Sequence, residues 1–298
     1  MGFNKTGDQT NREEHRPEYD LKGVLPFGIK GDGTASTMPL TPEGLQLNAD
    51  LFFEIAKGNV TGHTTIEKFG EVSSVSTSSD PADVWDGGDV SGAELYTFST
   101  TADIDSLSSS DDTDSQDILI QGLDTDWNEV NQTVTLNGQT PVSLSTNLIR
   151  VFRMVNMGST DIAGVVYNFV SGGTVTAGVP QTVTDIRAII NNGNNQTLMC
   201  IYSVPSGKTG YFWGGYVSVS RGPSSSTFAD FTWRARLFGG VFAVKSRIAT
   251  MSNGRSSWDY TYKVPLALPE KTDVLIRVEQ VGATLGASGG FTVVLIDN

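Results

Sequence analysis

The sequence predicts an all-β protein: antiparallel β-sandwich, jelly-roll-like modules preceded by an extended N-terminal arm and one short helix. Three observations predict it. From about residue 71 onward, short segments alternate apolar and polar residues with a period of two. Gly, Asn, Asp and Ser separate these segments, as turns require. Charged residues make up only 18% of the 298-residue chain, the balance of a turn-rich β protein rather than a helical one.

Residues 1–50 read as the arm. Pro17, Pro26, Pro39 and Pro42 interrupt any helix, and GIKGDGTAST is turn and linker material. Residues 51–70 read as a short helix and a linker. In NADLFFEIAKGN, Asn48 or Asp50 caps the start and Gly58 sits where a left-handed stop belongs. Leu51, Phe52, Ile55 and Ala56 share one face, a strip that docks on the body or on another subunit. The candidate partner contacts are therefore Leu25, Phe27 and Ile29 in the arm, with Leu51, Phe52 and Ile55 in the helix.

Residues 71–192 read as an acidic β-sandwich region. After the loop SVSTSSDPADVWDGGD come YTFS, DILIQGL, TVTLNGQTPVSL, LIRVFRMV, VVYNFV and TVTDIRAII, each short and β-branched or aromatic. Asn137-Gly138 predicts a type I′ hairpin, because that turn needs positive φ at both central residues. Residues 193–298 read as a jelly-roll-like sandwich: TLMCIYSVP, GYFWGGYVSVS, ADFTWRARLF, GVFAVKSRIATM, DYTYKVPLAL, DVLIRVEQV and FTVVLID. In FTWRARL, Phe231, Trp233, Ala235 and Leu237 point one way, and Thr232, Arg234 and Arg236 the other. No repeat of fixed period is present, which argues against solenoids and propellers. Whether the two β regions interleave as one sandwich or stand as two is left open.

Charge is unevenly spread. Residues 69–149 contain 15 Asp and Glu and no Lys or Arg, whereas 150–298 contain 13 Lys and Arg against 8 acids. So acidic a stretch repels phosphate, so no nucleic-acid partner is expected. It serves either as a solvated surface or as a docking face for the basic half of another subunit. The one cysteine, Cys200, lies in an apolar run and is expected to be a buried, inert thiol. A single cysteine permits no intrachain disulfide and fits assembly in a reducing compartment. The N-terminal residues lack the apolar core of a signal peptide, and no apolar run approaches the roughly 20 residues of a membrane helix. No membrane partner is expected.

Motifs for chemistry are weak. Asp124, Asp126 and Asn128 match the first, third and fifth positions of a calcium loop. Glu129 replaces the required glycine, and Thr135 the bidentate glutamate. No metal or other cofactor is expected; a metal site outside that motif would draw on Asp124, Asp126 and Asn128. SGKT at 206–209 lacks the upstream glycine of a phosphate loop and reads as a hairpin turn. The two histidines, His15 and His63, belong to no metal-ligand pair, and no nucleophile elbow is present. Tyr211, Phe212, Trp213 and Tyr216 are either core aromatics or a sugar-stacking platform. The chain does not read as an enzyme.

One resemblance rests on several stretches together: KFG at 68–70, SDPADVWDGG at 79–88, ILIQGLDTDWNEVNQTVTLNGQTPV from Ile118, RVFRM at 150–154 and QTLMCIYSVPSGKTGYF at 196–212. Over roughly residues 51–212 this order resembles virion structural proteins of tailed bacteriophages, many of them marine. The resemblance implies a particle component assembled in the host cytoplasm and located in the virion. The expected role is a head decoration or cement protein, a homo-oligomer and specifically a trimer, held to the major capsid protein or another virion protein by its arm. The alternative is a tail fibre or adaptor subunit that touches host glycan. No catalytic residue is implied.

Overall fold

The computed structural model describes residues 51–220, 226–253 and 255–298, with backbone alone at 27–29, 35–37 and 252–253. The chain divides into two units, Met1–Lys57 and Gly58–Asn298. In the first, β1 (Phe27–Ile29) pairs antiparallel with β2 (Ala35–Thr37), so the expected linker contains a small hairpin. Helix α1 (Leu51–Ala56) follows and ends, as expected, at Gly58 with φ +76°. Its capping residues Asn48 and Asp50 lie outside the described residues.

The second unit is almost entirely β and antiparallel; within TVTDIRAII, expected as strand, Val183–Asp185 form a 3-10 turn before the strand begins. Its strands in chain order are β3 (His63–Val75), β4 (Ala82–Asp83), β5 (Ile104–Ser109), β6 (Asp117–Leu123), β7 (Glu129–Thr135), β8 (Val142–Leu148), β9 (Arg150–Asn156) and β10 (Val166–Val170). Then come β11 (Val175–Thr176), β12 (Val179–Pro180), β13 (Ile186–Ile190), β14 (Ile201–Ser203) and β15 (Lys208–Ser220). The chain finishes with β16 (Ser226–Leu237), β17 (Ala243–Asn253), β18 (Arg255–Leu268), β19 (Thr272–Val281) and β20 (Leu285–Asp297).

Two sheets, ordered β18-β15-β20-β3 and β14-β19-β16-β17, form the larger sandwich, with β4 added beside β19. This order is the double Greek key of a jelly roll. Its first strand is β3, paired along its length with the last, β20. Residues 63–70, expected as linker, are therefore strand. The core positions of β3 are Lys68, Gly70, Val72 and Val75, so half of its buried face carries no apolar signal.

Between the first and second jelly-roll strands the chain makes an inserted sandwich. Its sheets are β13-β10-β5-β8 and β7-β6-β9, and the small β11-β12 pair accompanies them. The acidic region is thus an insertion in the jelly roll, not a module preceding it. The jelly roll packs around Phe231, Trp233, Ile276, Phe291 and Val293. The insertion packs around Leu107, Ile118, Ile120, Leu148 and Ile189.

Several local expectations change. YTFS is not a strand: Tyr96 is buried edge-on against Trp85 at 5.1 Å. The nearby strand is β5, whose Ser-rich IDSLSS gives little periodic signal. The loop DPADVWDGG is not solvated, since Ala82, Asp83, Val84, Trp85 and Asp86 are all buried. Asn137-Gly138 does turn, but with Asn137 as its first residue and only Gly138 at positive φ, +52°. It passes the chain from β7 to β8, which lie in different sheets, because Gly138 is committed to the 109–114 segment. Its N–H reaches the Asp114 carbonyl at 2.8 Å, and its carbonyl accepts from Ser109 N–H at 3.0 Å. SGKT likewise joins strands of opposite sheets, β14 and β15, and is not a hairpin. In β16, Phe231, Trp233 and Ala235 are core, whereas Leu237 is exposed at the strand end.

Candidate interaction surfaces and the seam between the sandwiches

The acidic stretch after β6 is a structural turn. The Asp124 Oδ1 accepts the backbone N–H of Asp126 and of Asn128, each at 2.9 Å, and its Oδ2 lies 3.3 Å from Asn128 Nδ2. Asp126 is exposed, and no group of three or more His, Cys, Asp or Glu among the described residues is placed to hold a metal. The turn holds Trp127 at φ +67°, a costly conformation for a bulky residue, and buries its ring. The Asp124 carboxylate is engaged by the backbone of its own turn, and through that turn it positions an aromatic.

Trp127 helps to enclose Arg150 of β9. The Arg150 guanidinium lies 4.9 Å from the Trp127 ring, 5.1 Å from Phe98 and 5.7 Å from Phe238. It pairs bidentately with Asp273 of β19, which also accepts from Arg236 Nε at 3.1 Å and Ser203 Oγ at 2.6 Å. This buried network fastens the insertion to the jelly roll. Within the jelly-roll sheet, Arg277 of β19 pairs with Asp83 of β4 at 2.6 Å and 3.1 Å. Burial holds the Asp83 carboxyl above the usual range, against the pull of Arg277. Asp86 is pushed up to about 8, mainly by burial and despite hydrogen bonds from Leu198 N–H and Asn191 Nδ2.

The outer surface offers one open side. β17 and β18 are consecutive strands, each at one edge of its jelly-roll sheet with no further strand beside it among the described residues. β18 is exposed along most of its length. Met251 and Val264 are each 79% exposed, and Trp258 stacks on Tyr260 at 5.6 Å in partial view of solvent. Lys245, Arg247, Arg255 and Lys263 lie on these two strands with a single acid, Asp259. Long exposed edges with apolar side chains invite pairing with another chain. Elsewhere, Glu71, Asp89, Asp112, Asp117, Asp126 and Glu129 of the cation-free stretch are exposed. Sequence reasoning missed the open side: DYTYKVPLAL reads as one more strand, and nothing in its spacing marks an edge.

Other expected positions divide. In α1, Ile55 is buried and Phe52 half-buried, but Leu51 and Ala56 are exposed, so the apolar strip is narrower than the helical spacing implied. Leu25 and the side chains of Phe27 and Ile29 lie outside the described residues, as does His15. His63 begins β3, its Nδ1 3.0 Å from the Thr61 carbonyl. Phe212 is core, Tyr211 and Trp213 are half-buried and Tyr216 is exposed, so the four make no single platform. Cys200 is fully buried, and its Sγ donates to the Gly289 carbonyl at 2.8 Å.

No protein-family model and no curated protein matches the chain. Among solved structures, that of infectious bursal disease virus strain Gt aligns over 83% of this chain and 78% of its own, at 12% identity and TM-score 0.17. The VP2 subviral particle of the same virus aligns over 84% and 78%, at 10% identity and TM-score 0.19. Scores this low carry no assignment of fold or role.

Proposed function

We propose that this chain is a structural subunit of a phage virion, a head decoration or cement protein that self-associates and is held to the capsid by its N-terminal arm. The observation that carries the reading is the open β17-β18 side, apolar and basic, on a molecule whose 69–149 stretch exposes acids and contains no Lys or Arg. One copy's basic edge complements another copy's acidic insertion. Such a contact joins unlike surfaces and closes into a ring, here a trimer, when the rotation permits. The jelly roll suits this by analogy only, being an architecture used by capsid and lectin domains alike. The resemblance of the 68–212 motifs to phage virion proteins supports the same role. A tail fibre or adaptor that meets host glycan is the alternative.

Light scattering of the purified chain tests self-association. A discrete oligomer is expected at low salt that weakens at high salt and is lost in Val264→Asp and Met251→Glu. Gold-labelled antibody on particles then separates head from tail. A strict monomer at all salt concentrations, together with particles that carry no label, would overturn the proposal.

A further inference from the structure

Five separated stretches meet where β3 and β14 of the jelly roll face β6, β7 and β9 of the insertion, and they leave a cleft of about 350 Å³. Its walls include Gln121, Glu129, Asn131, Arg153 and Phe152, with Lys68 and Tyr202 also lining it. The volume lies in the range of small-ligand sites, roughly 300–1,000 Å³.

The lining is chemically mixed. Gln121 Nε2 donates to Asn131 Oδ1 at 2.8 Å, and Arg153 Nη2 to Gln196 Oε1 at 3.1 Å. The cations Lys68 and Arg153 are offset by Glu67 and Glu129, so no net field selects an anion. Lys68 is buried and donates to the Phe152 carbonyl. Burial brings its ammonium down to about 7, so near neutrality it is as much a neutral hydrogen-bonding group as a charge. Phe152 is half-buried, its ring tilted against Tyr202 at 5.0 Å.

The decisive feature is Tyr202. It is 1% exposed, and its hydroxyl has no hydrogen-bond partner. Burial keeps the proton on that oxygen, so an unmatched donor lies under the cleft. Buried hydroxyls normally find an acceptor, and an orphan is an unmade bond awaiting one.

We propose that this cleft is a saccharide-binding site. Gln121, Glu129, Asn131 and Arg153 meet sugar hydroxyls, Phe152 lies against the ring's C–H face, and the Tyr202 hydroxyl donates to a ligand oxygen. Paired amides, an acid, a guanidinium and an aromatic face suit a neutral polyol better than a phosphate, which would need uncompensated cations, and the apolar members Ile66, Val130 and Phe152 give a sugar ring its C–H contacts. Nothing in the cleft depends on how copies assemble, so the site stands or falls apart from the virion role.

The test is titration of the purified full chain with free glucose, galactose, N-acetylglucosamine and glucuronate, followed by ligand-observed NMR, with sodium acetate as control. Binding of at least one sugar is expected. Tyr202→Phe is expected to melt no lower than the parent, since it removes no bond the free protein makes, yet to bind about tenfold more weakly. Arg153→Ala serves as a second variant and is expected to weaken binding likewise. No sugar binding at tens of millimolar would overturn the site. So would binding that both variants leave unchanged, or a response to acetate equal to that for glucuronate with the neutral sugars silent.

Discussion

Arg150 and Asp273 stand 123 residues apart in the chain and form a bidentate pair, Nε to Oδ1 at 2.8 Å and Nη2 to Oδ2 at 3.0 Å, with both side chains buried. The pair joins the inserted sandwich to the jelly roll. Arg150 also donates to the Ser99 and Ile149 carbonyls, at 2.6 Å and 2.7 Å, so nearly all its fork is used. Removing Asp273 leaves the buried Arg150 and the partly exposed Arg236 without their shared carboxylate. Asp273→Ala is expected to lower unfolding stability in urea by about 3–5 kcal/mol. Arg150→Lys is expected to destabilise as well, because an ammonium cannot span both oxygens or cover three rings. Unchanged urea midpoints in both variants would show that the seam is held elsewhere.

Asp124 is expected to matter through its turn and not through a metal. Asp124→Ala removes a charged acceptor from two backbone N–H groups and should cost about 1–3 kcal/mol. Asp126→Ala should leave the melting temperature where it is. Adding a chelator should shift neither the parent nor either variant. A chelator-dependent drop in the parent would restore the calcium reading.

Asp86 gives stability a pH dependence of known sign. Its folded pKa, about 8, lies above the ordinary carboxylate value, so the folded state holds a proton that the unfolded state has released. This contribution is fully present below about pH 4 and is lost as pH rises through about 8. In melts between about pH 5 and about pH 8, the parent should lose stability with rising pH relative to Asp86→Asn. Parallel curves for the two proteins would contradict the assignment.

Cys200 is expected to be unreactive in the folded protein. It is fully buried, and burial pushes its thiol well up, so little thiolate forms. A thiol reagent should titrate one group per chain in urea and essentially none in native buffer. Fast native labelling would mean that the β3-β14 region opens readily.

The sequence was legible where the signal is local. Residues such as Phe231, Trp233 and Ala235 alternate with Thr232, Arg234 and Arg236, and the strand they predict is present with that inward face. Cys200 was readable as buried for the same reason. Where a buried face is built from residues that do not look buried, the reading failed: β3 turns Lys68 and Gly70 inward, and β5 buries serines. Gly70 is needed there because a side chain would collide with the backbone at Met199 and Cys200.

The candidate sites were less legible than the fold. Asp124, Asp126 and Asn128 were visible as an acidic alternation, but their use in presenting Trp127 to Arg150 depends on partners far along the chain. The lining of the cleft comes from β3, β6, β7, β9 and β14, and no segment of the sequence contains more than a fraction of it.

By itself, then, the sequence determined those strands whose two faces differ in polarity: a period of two, punctuated by turn residues, obliges the chain to present one face of such a segment to a core. Which strands become neighbours is set by contacts between distant segments, and only the tertiary structure decided it. Pairing β3 with β20 made the jelly roll, relegated the acidic region to an insertion, brought Arg150 to Asp273 and left β17 and β18 as open edges. The physical reason is that alternation is a property of one strand, whereas register, edges and seams are properties of pairs that the chain brings together only on folding.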